Sequence, residues 1–134
     1  MKKIFFLILL VAIPAIASNE VEIRTKRFQE NKDNMKLIFE SINFDDFPAI
    51  VEGASAISLW ANEMSNFFPE GSESRGASID IWSNFEDFKL LASNNKSAAD
   101  KLILHAKNNN MEDAKKAFKE LSSTCKSCHR KFKN

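Results

Sequence analysis

Glycine and proline are scarce in this chain, with three of each among 134 residues. With so few breakers, and no runs alternating apolar with polar residues, strand-built architectures are excluded and helix is expected nearly throughout. An excess of charge of either sign is also missing. The formal balance is +1 and becomes about −1 once Lys2 and Lys3 are set aside. Neither nucleic acid nor an anionic membrane therefore has an electrostatic reason to bind. Beyond the first twenty residues, no apolar run approaches the roughly 20 residues that span a bilayer. No acid–base pair or nucleophile with supporting residues can be picked out, so an enzyme is not expected.

The exception at the front is "MKKIFFLILLVAIPAIAS". Two lysines, an apolar run from Ile4 to Ile13, Pro14 and the small-residue pattern Ala15-Ile16-Ala17 have the layout of a secretory signal peptide. Residues 1–17 are expected to be removed, leaving residues 18–134 as one exported, soluble domain. No internal repeat or low-complexity tract is visible in it.

Four helical stretches can be drawn along that domain. The first, from about Glu20 to Ser41, carries Phe28, Asn31, Met35, Ile38 and Ile42 at helical spacing. The second opens at "NFDDFP", where Asp45 or Asp46 can cap and Pro48 suits the first turn. Its stripe runs from Phe47 through Ile57 to Phe68, and Gly53 inside it predicts a closely packed neighbour. "FFPEGSESRGAS" forms the one long loop. The third helix starts near Ser83 and carries Phe85, Phe88, Ala92, Asn95 and Leu102; its stripe stays in phase across Asn94-Asn95, which predicts one unbroken helix. Asn110 caps the fourth, whose stripe is Met111, Ala114, Phe118, Leu121, Cys125, Cys128 and Phe132. Four amphipathic helices, mostly with short connections, predict an all-α fold, an antiparallel up-down four-helix bundle.

Both cysteines of the chain fall in "STCKSCHRKFKN", within a C-x-x-C-H pattern. At about 100° per residue, Cys128 lies roughly 60° to one side of Cys125 and His129 roughly 40° to the other. All three side chains leave one face of the helix. Two core cysteines are the plain reading, because a free thiol packs as a small hydrophobe. A disulfide here would close a tiny loop and stabilise little, and a thioredoxin-like centre needs a βαβ setting. Structural zinc wants four ligands, and adjacent Cys128 and His129 serve one tetrahedron poorly. Haem fits better: thiols one turn apart can reach two vinyl groups on one side of a porphyrin, and the next residue brings an imidazole beneath the ring.

The sequence resembles the class II c-type cytochromes, the cytochrome c′ and cytochrome c-556 family, over essentially the whole mature chain. The matching segments are "AFKELSSTCKSCHRKF", "FFPEGS", "IDIWSNFEDF" and "NKDNMK". The resemblance implies one covalent haem c per chain, attached through Cys125 and Cys128, with His129 as the proximal iron ligand, and export to the bacterial periplasm. The family divides at the sixth iron position. In cytochrome c′ an apolar residue of the first helix shields it and small gases bind there. In the c-556 type a first-helix methionine fills it and the protein carries electrons; the residue matched to that position is Met35. Trp82, with Phe85 and Phe88, either lines the haem pocket or belongs to the plain core, and Trp82 is expected near the haem. His105, beside Leu102 and Ala106, is read as a solvated edge residue.

Two departures from the family pattern stand out. The arginine that usually lies four residues before the distal residue, and can pair with a haem propionate, is matched to Asn31. The Tyr-Arg pair that often follows the proximal histidine is replaced by Phe132 and Lys133, and lysine keeps the charge without the planar fork. The expectation is a one-electron carrier with iron held by His129 and Met35, exchanging electrons with a redox partner protein, as monomer or homodimer. The alternative is a five-coordinate protein that binds or buffers NO or CO.

Overall fold

The computed structural model describes the backbone from residue 15, and side chains from residue 19, to Asn134. The expected leader, residues 1–17, lies outside the described residues apart from the backbone of its last three. Four long helices follow in chain order: α1 (Ala15–Asn43), α2 (Phe47–Glu63), then, after a single-turn α3 (Asp80–Ser83), α4 (Phe85–Lys107) and α5 (Met111–Phe132). Among the described residues no strand forms, only one isolated bridge between Ala77 and Lys133. α1 packs along α2, α2 along α4, and α4 along α5. That is the expected up-down-up-down four-helix bundle, with the C-x-x-C-H segment near the end of α5. No helix among the described residues is long and apolar enough to cross a membrane.

The ends of these helices follow local chemistry. Asp46 caps α2 by accepting from Ala49 N at 3.1 Å, with proline in the first turn. Asn110 caps α5 by accepting from Asp113 N at 3.1 Å, and Glu112 and Asp113 suit the positive end of its dipole. Helix α4 runs unbroken through Asn94 and Asn95, as their phase requires. Gly53 lets α2 approach α1: a Cβ there would stand 2.9 Å from Ile38 Cγ1 and 3.2 Å from the Asn34 carbonyl oxygen.

The core divides along the bundle axis. At one end Ile38, Ile42, Ile50, Ile57, Leu102 and Leu121 close over a floor of alanines, with Met35 and Phe118 packed against them. At the other, Trp60, Met64, Phe68, Ile81, Phe88 and Phe132 form a largely aromatic cluster, with Phe28, Trp82 and Cys128 against it. Each large side chain buried this way contributes about 1.5–3 kcal/mol. The stripe of α5 closes only in part. Ala114, Ala117, Leu121 and Phe132 are buried, whereas Phe118, Cys125 and Cys128 are half-buried. The cause is topological: α5 lies close along α4, but α1 and α5 have no comparable backbone approach among the described residues. Long side chains bridge that side, such as Phe39 and Phe118 with ring centroids 6.4 Å apart.

Candidate functional site

The end of α5 that carries the three singled-out residues is fastened by the loop after α2. Ser78 N donates to the Phe132 carbonyl at 2.9 Å, and Asn134 Nδ2 donates to the Ala77 carbonyl at 3.1 Å. The Phe132 ring meets Phe88 edge-on at 5.5 Å, and Lys131 Nζ reaches Asp87 at 2.6 Å. Cys125, Cys128 and His129 therefore project from a helix held at both flanks.

Both cysteines are free and half-buried, and they have different neighbours. Cys125 Sγ accepts from Asn95 Nδ2 of α4 at 3.4 Å, whereas Cys128 packs against the aromatic cluster. Burial raises the Cys125 thiol above its ordinary value, against the opposing hydrogen bond from Asn95. Burial, with the charge of Cys125 second, pushes Cys128 up to about 11. Two protonated thiols do not make a disulfide-exchange centre, which needs a ready thiolate. His129 is exposed; what desolvation its ring has, then the positive charge of Lys133, lowers it below 6.5. A neutral imidazole keeps the lone pair that a metal requires. Among the described residues no three His, Cys, Asp or Glu side chains converge on a metal position.

Trp82 belongs to the same cluster as Cys128; its indole Nε1 donates to the Pro69 carbonyl at 2.9 Å and the Phe68 carbonyl at 3.2 Å. Met35 lies elsewhere, half-buried against the Ile38 cluster. Helix α1 instead sends Phe28 into the Cys128 cluster, edge-on to Trp60 at 5.4 Å and to Phe68 at 6.4 Å. The Phe39–Phe118 pair sets the level between these antiparallel helices. Eleven residues back along α1 from Phe39 is Phe28, and eleven forward along α5 from Phe118 is His129. Phe28 is thus level with the histidine, whereas Met35 is level with Ser122, about 10 Å along the axis at 1.5 Å per residue.

Arg24 is the buried charged residue that the sequence reading passed over. It stands four residues before Phe28 and is 2% exposed. Its guanidinium donates to the Phe67 carbonyl at 3.0 Å, to Ser72 Oγ at 2.9 Å, to Ser74 Oγ at 3.0 Å and to the Ser72 carbonyl. It also lies 4.3 Å over the Phe68 ring. Burial lowers its pKa, opposed by the more distant charges of Glu73 and Glu20. The available signal was the Arg24-x-x-x-Phe28 spacing, which repeats the family's arginine-to-distal interval one heptad before Asn31 and Met35.

The residues present suit a covalently held porphyrin. Two free thiols a turn apart adjoin a neutral imidazole and an aromatic cluster. Within that cluster Trp60 Nε1, in a side chain 2% exposed, is the single buried side-chain polar atom without a partner among the described residues. A buried donor left unpaired is costly, and it lies beside Phe28, level with His129.

The family model described as Cytochrome C′ matches residues 19–133. The fold is similar to that of cytochrome c′ from Thermochromatium tepidum, with a TM-score of 0.81 and 22% identity over 87% of this chain and 95% of that one. Cytochrome c′ from Rubrivivax gelatinosus gives 0.78 and 23% over 88% and 97%. A nitric oxide complex of a mutant cytochrome c prime from Alcaligenes xylosoxidans gives 0.81 and 18% over 91% and 98%. No curated protein matches the chain significantly.

Proposed function

The chain belongs to the cytochrome c′ family, and on that premise we propose that it is an exported, periplasmic haem c protein that takes up small gaseous ligands. Cys125 and Cys128 hold the haem by thioether bonds, and His129 ligates its iron. Phe28 covers the opposite face as the apolar distal residue, and Trp82 helps to wall the pocket. Haem c, when bound, supplies an iron that takes a diatomic ligand or an electron. The polarity and access of the distal side decide between those uses.

The observation that carries this reading is the level of Phe28 with His129 across the α1–α5 side. A phenyl ring has no lone pair to offer iron. It excludes water and yields space to a small uncharged ligand. Arg24, four residues before it, restores the arginine-to-distal spacing of the family, although its hydrogen bonds here go to the loop. The nitric oxide complex of the Alcaligenes xylosoxidans relative agrees with such a use.

The carrier reading asks more of the fold. Met35 lies two turns along the same stripe as Phe28, so its thioether would need a shift of α1 to face His129. An optical spectrum separates the two. A high-spin ferric spectrum with ready carbon monoxide binding is expected. A sulfur-to-iron charge-transfer band, abolished in Met35→Ala, would establish the carrier instead. No catalytic turnover is proposed.

A further inference from the structure

The two cysteines are held by different means, and the difference assigns a task to Asn95. Asn95 sits on the buried stripe of α4, 5% exposed, where helical spacing calls for an apolar side chain. Burying a carboxamide is unfavourable unless its hydrogen bonds are met. Its Nδ2 lies 2.9 Å from Thr124 Oγ1 and 3.4 Å from Cys125 Sγ. The direction of the first bond is fixed, because the single Thr124 hydroxyl proton goes to the Leu121 carbonyl at 2.7 Å. Thr124 oxygen is left to accept, so only the NH2 edge of Asn95 can face α5. Both hydrogens of that amide are then directed at neighbouring residues, Thr124 and Cys125. Among the described contacts Cys128 has no such partner, and it is held by apolar packing.

We propose that Asn95, locked by Thr124, is the positioning residue for covalent haem attachment at Cys125. The inference rests on the reading of Cys125 and Cys128 as the haem-bearing residues. Attachment adds a thiol across a vinyl group. The S–H bond and the carbon–carbon π bond break, a C–S and a C–H bond form, and no electron is gained or lost overall. A donor beside the sulfur suits every stage. It steadies negative charge on sulfur as the proton leaves, and it still has a lone pair to bond once the sulfur is a thioether. The carbonyl edge of the same amide would fail at the end, since a thioether has no proton to give. The Thr124 hydroxyl therefore does more than fill space: it selects which edge of Asn95 is presented.

The test uses the full chain exported in cells with a working haem-attachment system. Purified protein is denatured, treated with iodoacetamide and mapped by peptide mass. Wild type should carry haem with neither cysteine labelled. Asn95→Leu, which keeps the branched heavy-atom skeleton without donors, should retain haem but show at least tenfold more label on Cys125 than on Cys128. Its reduced pyridine spectrum should shift to longer wavelength, as expected when one vinyl group survives. Thr124→Val should give the same pattern more weakly, and Thr124→Ser should restore wild-type linkage. Thr124 is only half-buried, so that pair remains informative where Asn95→Leu fails to accumulate. Full linkage of both cysteines in Asn95→Leu or Thr124→Val, or label spread equally over both, overturns the proposal. A wild-type protein that carries no haem overturns the underlying reading instead.

Discussion

Arg24 offers the most demanding test of how this fold is held together. Its guanidinium is buried with no ion pair among the described residues, and its charge is met by two backbone carbonyls and two serine hydroxyls of the segment 67–74. Arg24→Ala removes four donor interactions at once and leaves those acceptors facing a void. Leaving buried acceptors without a donor costs about 1–3 kcal/mol each. Glu70, Gly71 and Glu73 are exposed and let water reach part of the gap, so about 3 kcal/mol in all is expected here. A domain of this size holds roughly 5–15 kcal/mol in total. Each kcal/mol moves the midpoint by about 4 °C, so Arg24→Ala should melt about 12 °C below wild type by circular dichroism. Arg24→Lys keeps the charge but loses the planar fork that serves several acceptors at once, and should recover about half. The loop that Arg24 anchors also carries the Pro69 carbonyl that holds Trp82, so proteolysis between residues 69 and 77 should accelerate in parallel. A midpoint for Arg24→Ala within about 3 °C of wild type would refute the argument.

Other consequences can be checked with single substitutions. Gly53→Ala gains roughly 1 kcal/mol of helix propensity, but its methyl meets Ile38 and the α1 backbone. Overpacking of that kind costs about 1–3 kcal/mol, so a net loss near 1 kcal/mol is expected in urea unfolding, and a more stable variant would contradict the close approach. Phe28→Ala should raise the carbon monoxide association rate at least tenfold, while Met35→Ala leaves it within about twofold; stopped-flow mixing distinguishes them. Burial tends to raise the Asp100 carboxyl, but hydrogen bonds from Lys96 and Ser58 outweigh it and hold it below 3.8. A carboxyl depressed in the folded state contributes stability above its unfolded value and loses it as pH falls through the folded value. Asp100→Asn should therefore be destabilising at pH 7, by less than about 1 kcal/mol for so exposed a pair. The difference should shrink as pH falls below 3.8 and vanish only below the lower folded value, in parallel melting curves.

Much of this protein was legible in the order of its residues. The caps at Asp46 and Asn110, the unbroken α4, the close approach at Gly53 and the grouping of Cys125, Cys128 and His129 on one helix are local consequences of spacing. Spacing alone could not choose between Phe28 and Met35. They are seven residues apart, so at 3.6 residues per turn they share one stripe within about 20°. Which of them stands level with His129 depends on how far α1 is slid along α5. That offset is set by contacts between elements distant in sequence: the Phe39–Phe118 pair at one end, and the aromatic cluster with the Arg24 clamp on the loop at the other. The burial of Arg24 and the direction of the Asn95 amide were decided in the same way, by partners dozens of residues away. Periodicity determines which face of a helix turns inward, and only tertiary packing determines its height against its neighbour.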